Sequence, residues 1–443
     1  MLESRSPWSS LKGINSVNIT PFRKPIQGKL AITGSKSYTN RALIIAGAAS
    51  GTSHLTDILK SDDSYWCISS LRQLGVIIEE DFNTITITGT SAKWTYPKEP
   101  IFIGSAGTSG RFLTSLLALT AKYNININAS EQLSQRPMNT IFTALTQLGS
   151  DIHFSGKPGH FPVTLLPKKK GSNSIAITGA ISSQFISGLL IATPYLDHEV
   201  EIHVRDNIVQ SDYVNVTLDV MHAFGVDVEK SENLDYFKVC PGVYKAVDYQ
   251  IEADASTASY FMALAAVTGG KILLTNLNYN TSQPDIQFLG ILEQLGCSIK
   301  QSKSGITILG PEKLKGGLTI DMNACSDTAL TLAAIAPFAS GPIEIEGVAH
   351  IRTHESDRIS VIADSLKKVN VPVEEKKGGL VIYPARPTHA RLNTHDDHRV
   401  AMALSVLGIA GSGIELDDPG CVSKTCPSFF QQLEDLGIQV KYN

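Results

Sequence analysis

Long apolar runs are missing from this chain. No stretch reaches the ~18 residues that a membrane-spanning helix needs, so no span is expected. A charge excess is missing too: 38 Lys and Arg stand against 42 Asp and Glu, a net −4 at neutral pH. That balance argues against a nucleic-acid or membrane-surface partner. Cysteine is sparse. Cys67, Cys240, Cys297, Cys325, Cys421 and Cys426 are scattered apart from the last two, and no Cys-x-x-Cys occurs. Reduced thiols and a cytoplasmic location are therefore expected. The first 17 residues carry Trp8 and scattered charges without an apolar core. They are read as a disordered or tag-like extension, not a signal peptide. What is present is ordinary globular composition, 42% hydrophobic and 18% charged, in a chain long enough for two domains.

Against that plain background one pattern recurs six times. A helix-like stretch ends in Leu71-Arg-Gln-Leu-Gly75, and again at Gly149, Gly225, Gly296, Asn370 and Gly437. The spacing is roughly 70 residues, too long for common solenoids and right for a repeated supersecondary unit. Gly, or Asn as second choice, supplies the left-handed residue that closes a helix. Upstream of each turn lies a second helix, apolar nearly all round and so expected to be buried: Arg41–Ala49, Phe112–Leu119, Phe185–Ala192, Ala258–Ala266, Thr328–Ala336 and Val400–Leu407. Alternating segments such as Thr84–Thr88, Gly305–Leu309 and Gly379–Tyr383 read as strands. The chain opens on strand-like segments and closes just after a helix. Both termini should therefore complete one unit together, giving two domains of three units each.

The amino ends of the buried helices carry unusual polar residues: Ser35, Lys36 and Arg41; Thr108 and Arg111; Ser182 to Gln184; Asp254; Asp327; Asp396 to Arg399. Ser, Thr and Asp there can be simple N-caps. Lys36, Arg41, Arg111 and Arg399 cannot, because cations are unfavourable at the positive end of a helix dipole. Their recurrence points to anions bound at free helix amides. Arg136, Arg358 and Lys424 stand in loop-like settings and could join them in one basic cleft, where local charge matters more than net charge.

These residues fall in motifs that resemble the enolpyruvyl transferase family: Gly34-Ser-Lys-Ser37 with Asn40-Arg41, Gly107-Thr108 with Arg111, Arg136-Pro137, Ser182-Ser-Gln184, Glu355-x-Asp-Arg358, Asp397-His-Arg399 and Lys424-Thr425. The likeness covers nearly the whole chain after about residue 16 and is to the branch acting on shikimate 3-phosphate. It implies an α/β fold of two domains, each three βαβαββ units around buried helices, an inside-out α/β barrel. Residues 1–33 plus 254–443 would form a discontinuous domain and 34–253 a continuous one, with the active site in the cleft between them. The implied reaction moves the enolpyruvyl group of phosphoenolpyruvate to the 5-hydroxyl of shikimate 3-phosphate and releases phosphate, by addition and elimination through a tetrahedral intermediate, on the route to chorismate and the aromatic amino acids. Under the resemblance Lys36, Asp327 and Glu355 transfer protons. Lys36, Gly107, Thr108, Arg136, Gln184, Arg358, Arg399 and Lys424 hold phosphoenolpyruvate. Ser37, Arg41, Ser182, Ser183, Gln184, Tyr213, Asp327 and His354 hold shikimate 3-phosphate. A monomer is implied, with no cofactor. His350, His354, His395 and His398 do not match a helical zinc motif, and no metal is expected.

The sequence departs from the family pattern in three places. The loop that usually reads Gly-Asn-Ala-Gly-Thr-Ala-Met-Arg-Pro has Ser105, Ser109, Gly110 and Phe112 instead. Losing proline's constraint should alter loop geometry and weaken inhibition by glyphosate, a longer relative of phosphoenolpyruvate. The family's Ser-x-Pro-Tyr appears as Gln210-Ser-Asp-Tyr213, one residue out of register, and His354 replaces a common lysine. Two alternatives are kept. The branch acting on UDP-N-acetylglucosamine typically has a cysteine in the segment 129–136, where none lies here. A non-catalytic anion-binding homologue would not need Lys36, Asp327, Glu355 and Arg399 together.

Overall fold

The structure, a computed structural model, describes residues 4–443. Among the described residues the strands form six four-stranded sheets of one shared pattern. The unit is seen most simply between residues 101 and 166. Strand Ile101–Phe102 leads into helix Gly107–Thr120, strand Ile125–Asn128, helix Asn139–Gln147, and the pair Asp151–Phe154 and Val163–Leu166. The first two strands pair in parallel, and the last strand joins the second strand to the third in antiparallel fashion. A parallel pair needs a crossover helix and an antiparallel pair does not, so this order follows from the helix positions.

The six turn signals do what their residue types predict. Gly75, Gly149, Gly225, Gly296, Asn370 and Gly437 all have positive φ, between 61° and 98°. After each, the next residue donates its N–H back into the helix: Val76 to Leu71, Ser150 to Leu145, Val226 to Met221, Cys297 to Leu292, Val371 to Leu366 and Ile438 to Leu433. That is the six-to-one bond of a Schellman end, which satisfies carbonyls the helix leaves orphaned.

The apolar helices are buried as expected. Helix His398–Ala410 has Val400, Ala401, Met402, Ala403, Leu404, Val406 and Leu407 all without solvent exposure. Each such large side chain contributes about 1.5–3 kcal/mol of burial. Close packing needs small residues: a Cβ on Gly188 of helix Ser183–Ala192 would come within 2.8 Å of Ser115 Oγ on helix Gly107–Thr120. The fifth apolar helix is shorter than its sequence suggests. Only Ala329–Ile335 is α-helical, flanked by 3₁₀ turns at Ser326–Thr328 and Ala336–Phe338; Pro337 cannot donate within a helix.

The chain forms two compact units, Gly34–Ile251 and Pro7–Thr33 with Glu252–Asn443. In the second, strand Ser16–Ile19 lies between Ile414–Asp417 and Val440–Tyr442, antiparallel to both. Both ends of the chain thus complete one unit. Strand Gln27–Leu30 pairs in parallel with Lys271–Leu274 and opens another.

The amino-terminal stretch differs from expectation. Residues 4–6 belong with the Gly34–Ile251 unit, not with the discontinuous one. Nor are residues 4–15 a loose extension: Ser6 is fully buried and Asn15 donates to the Asn443 carbonyl at 2.9 Å. Backbone hydrogen bonds and the packing of Leu11 and Ile14 against the core hold the segment; two such residues make no apolar pattern, so hydropathy gave no sign of it. Residues 1–3 of that extension lie outside the described residues. No helix among the described residues is long and apolar enough to cross a membrane.

Candidate functional site

Two polar clusters form at amino ends of buried helices, one in each unit. In the Glu252–Asn443 unit the centre is Arg358, which opens helix Arg358–Lys368 and is 1% exposed. Its Nε donates to Asp397 Oδ2 at 2.9 Å and its Nη2 to Asp397 Oδ1 at 3.2 Å. Nη2 also donates to Glu355 Oε2 at 2.8 Å, and Nη1 to Asp327 Oδ1 at 3.1 Å. Arg399 Nη2 donates to Asp327 Oδ2 at 2.7 Å, and Lys424 Nζ lies 3.5 Å from Glu355 Oε1. Burial pulls the Arg358 pKa down, but the charges of Asp397, Glu355 and Asp327 outweigh it and the net shift is upward. A charge this deep is tolerated only when paired and hydrogen-bonded.

Asp327 is therefore no helix cap. It sits in the 3₁₀ turn Ser326–Thr328, with a different arginine on each carboxylate oxygen. The cluster also differs from a purely basic gathering. Asp327, Glu355 and Asp397 match Arg358, Arg399 and Lys424 charge for charge.

His354 Nδ1 lies 3.1 Å from Arg358 Nη1. A guanidinium only donates, so Nδ1 accepts and the ring proton is left on Nε2. The ring of His350 stands edge-on to His354 with centroids 5.7 Å apart, and its Nε2 lies 2.8 Å from Ser326 Oγ. Burial lowers the His350 pKa, with Asp327 opposing and Arg358 adding to the shift. Tyr260, buried nearby, is pushed up to about 12 by burial, against the pull of Arg399. Its hydroxyl is close enough to Arg399 to feel it but makes no well-formed hydrogen bond.

In the Gly34–Ile251 unit Ser35 caps helix Lys36–Ala48, accepting from the Tyr38 N–H. Lys36 is the first helical residue, its Nζ 3.9 Å from Asp63 Oδ2. Helix Gly107–Thr120 is different: Ala106 at its N-cap makes no side-chain cap bond. Two guanidinium groups crowd this end. A Cβ on Gly107 would lie 2.9 Å from Arg136 Nη1 and 3.0 Å from Arg111 Nη1. Glycine is required there so that both cations can approach the backbone. Two guanidinium groups thus gather at a helix amino end that no side chain caps. Arg111 Nη1 donates to Gln184 Oε1, and its guanidinium lies over the Phe185 ring at 5.3 Å. Thr108 is buried beside Gly107.

Arg41 is more enclosed than its assigned role suggests. Its Nε donates to Thr217 Oγ1 at 2.7 Å, Nη1 to the Ser37 carbonyl at 2.9 Å and Nη2 to the Tyr213 carbonyl at 3.0 Å. The guanidinium stacks on the Phe112 ring, 4.9 Å from its centroid, and burial brings its pKa down to about 10. Phe112 thus packs beneath Arg41, fully buried. Gly110 leaves room for Ile103, whose Cδ1 would lie 2.8 Å from a Cβ there. Ser182 caps helix Ser183–Ala192 through the Gln184 N–H, and Ser183 is buried. Tyr213 lies in the first turn of helix Asp212–Ala223; the preceding Gln210 has φ of +52° and Ser211 makes no side-chain cap bond.

Sequence reasoning left Asp397 and Arg111 out of the site. Asp397 accepts the Arg399 N–H at 3.0 Å as an ordinary N-cap would, which masks its grip on Arg358. Arg111 had a signal, a cation at a helix start, that pointed to an anion without assigning it to either substrate.

The EPSP synthase family model (3-phosphoshikimate 1-carboxyvinyltransferase) matches residues 22–433. A 3-phosphoshikimate 1-carboxyvinyltransferase 2 from Halalkalibacterium halodurans is 47% identical over 441 residues, 99% of this chain and 98% of its own length. A 3-phosphoshikimate 1-carboxyvinyltransferase from Nostoc sp. is 37% identical, over 94% of this chain and 98% of its own. A solved EPSP synthase structure from Acinetobacter baumannii has a TM-score of 0.81 at 25% identity, covering 97% of this chain and all of that one. Both clusters lie inside the matched span, and the chain belongs to the EPSP synthase family.

Proposed function

We propose that the two clusters serve one reaction, with Lys36, Asp327 and Glu355 moving protons and the arginines holding anions. The reaction of the chain is the transfer of the enolpyruvyl group of phosphoenolpyruvate to the 5-hydroxyl of shikimate 3-phosphate, with release of phosphate. The observation that carries the site assignment is the Arg358 cluster, in which Asp327 and Glu355 share one buried guanidinium. Proton transfer needs positioned carboxylates and an amine. Addition to phosphoenolpyruvate takes a proton onto its methylene carbon and one from the attacking hydroxyl; elimination then removes a methyl proton and expels phosphate.

Lys36, Gly107, Thr108, Arg136, Gln184, Arg358, Arg399 and Lys424 are assigned to phosphoenolpyruvate. The uncapped helix end at Gly107 with Arg111 and Arg136 supports the anion-binding part, since guanidinium forks suit carboxylate and phosphate. Ser37, Arg41, Ser182, Ser183, Gln184, Tyr213, Asp327 and His354 are assigned to shikimate 3-phosphate; Arg41 also donates to the Ser37 and Tyr213 carbonyls. An Nε2–H on His354 offers that substrate a neutral donor. We place the enzyme in the cytoplasm, acting as a monomer; six free cysteines fit a reducing compartment. The test is phosphate release from phosphoenolpyruvate with shikimate 3-phosphate, run beside UDP-N-acetylglucosamine. Release with the first acceptor alone supports the reading. Release with the UDP-sugar alone, or with neither, overturns it.

A further inference from the structure

Ser4 and Ser6 touch one helix of the Gly34–Ile251 unit at two points. Ser6 donates its backbone N–H to Asp62 Oδ1 at 2.8 Å. Asp62 opens helix Asp62–Gln73, and its neighbour Asp63 is the carboxylate beside Lys36. One turn along, the half-buried Trp66 donates its indole N–H to the Ser4 carbonyl at 2.7 Å. The same ring meets Phe102 edge-on with centroids 4.8 Å apart. It also lies against Gly104, where a Cβ would come within 2.4 Å of Trp66 Cδ1. Gly104 has φ of +57° and begins the turn that delivers Gly107 to Arg111 and Arg136. No side chain would fit between this turn and the ring, so the indole packs directly on the Gly104 backbone and a change in its position is felt there.

We propose that Ser4–Ser6 is a positioning element for the phosphoenolpyruvate end of the site. It fixes Trp66, which fixes the Gly104 turn, and it fixes Asp62, which sets the helix start that carries Asp63 to Lys36. The identity of the ligand rests on the function proposed above; the mechanical link does not. An indole N–H that loses its acceptor in a half-buried position must find another by moving. Any such movement bears directly on Gly104. None of these three residues reaches a substrate in this account, so their effect passes through Trp66 and Asp62.

The experiment compares the wild type with Trp66→Phe, with a variant in which everything before Pro7 is replaced by a single Met, and with the two combined. Trp66→Phe keeps an aromatic side chain but removes the donor together with the pyrrole edge that lies nearest Gly104. The KM for phosphoenolpyruvate is expected to rise about three- to tenfold in each, the effect of one or two lost hydrogen bonds. In Trp66→Phe the kcat and the KM for shikimate 3-phosphate should stay within about twofold, whereas the truncation should also lower kcat, because Asp63 lies beside Lys36. The combined variant should lose less than the two single losses added together, because both changes remove the Trp66–Ser4 contact. In the ligand-free protein, amide exchange over residues 104–110 should quicken in both single variants. The proposal is overturned by an unchanged KM with unchanged exchange, or by both KM values and the melting temperature shifting together. If the wild type turns over neither substrate, the functional reading fails, and the exchange data alone decide the positioning role.

Discussion

Asp397 holds Arg358 through both carboxylate oxygens, at 2.9 and 3.2 Å, while one of those oxygens also accepts the Arg399 backbone N–H at 3.0 Å. One buried side chain therefore caps helix His398–Ala410, orients Arg358 and fixes the start of Arg399. Asp397→Asn keeps an acceptor for the cap but removes the charge opposite Arg358. Breaking a buried pair from one side costs about 3–5 kcal/mol. The expected result is a markedly lower melting temperature together with a loss of kcat/KM of at least about tenfold. Denaturation and steady-state kinetics check it, and a near-normal variant would show that Arg358 needs only its other two carboxylates.

Asp327→Ala and Glu355→Gln should lower turnover far more than they weaken substrate binding. Acid–base groups typically contribute ~10²–10⁴-fold, and a group acting in the transition state is read in kcat. Near-normal turnover in either variant would remove that residue from the proton path.

His350 predicts a pH effect on stability. Burial lowers its folded pKa below the ordinary histidine value of about 6.5. Below that value the unfolded chain binds a proton that folded His350 still refuses, so stability rises with pH in this window. The contribution is full above about pH 6.5 and is lost as pH falls towards the depressed folded pKa. The groups facing the ring are Ser326, Asp327, His354 and Arg358. Denaturant midpoints at pH 7 and pH 5 should differ more for the wild type than for His350→Gln. Equal differences would mean the ring titrates normally.

Glyphosate should inhibit this enzyme less strongly than relatives with the usual loop. The Phe112 ring packs under Arg41 and Gly110 admits Ile103, contacts that a proline and a methionine at these positions would not make. A shift of about 1 Å near Gly107 penalises a longer ligand heavily. Phe112→Leu removes the stacked ring without the helix cost of proline. It should change the inhibition constant and raise the KM for shikimate 3-phosphate several-fold through Arg41. Tight competitive inhibition of the wild type would disprove tolerance.

Much of the fold was legible because its rules are local. A positive φ at Gly75 or Asn370 is a property of one residue, and the apolar face of Val400–Leu407 can be read from composition. The termini could be paired because strands at one end lacked a helix and the helix at the other lacked strands. The site was legible only where chemistry was unusual for its place, as with Lys36 and Arg399 at helix starts. Asp397 hid behind an ordinary capping role. The approach of Arg136 to Gly107 spans two loops and has no local signature. Ser6 was missed because a segment without periodicity gives no reason to expect order, and Trp66 because its partner Ser4 lies in that segment.

The central claim is addition followed by elimination on phosphoenolpyruvate. It is tested most directly by running the reaction with shikimate 3-phosphate in D₂O and examining the product by NMR or mass spectrometry. A methylene carbon that gains a solvent proton and then loses one of three must carry solvent deuterium into the product. The account predicts an enolpyruvyl ether at the 5-position with deuterium in its methylene group. An enolpyruvyl ether free of deuterium, or no such product, would contradict it.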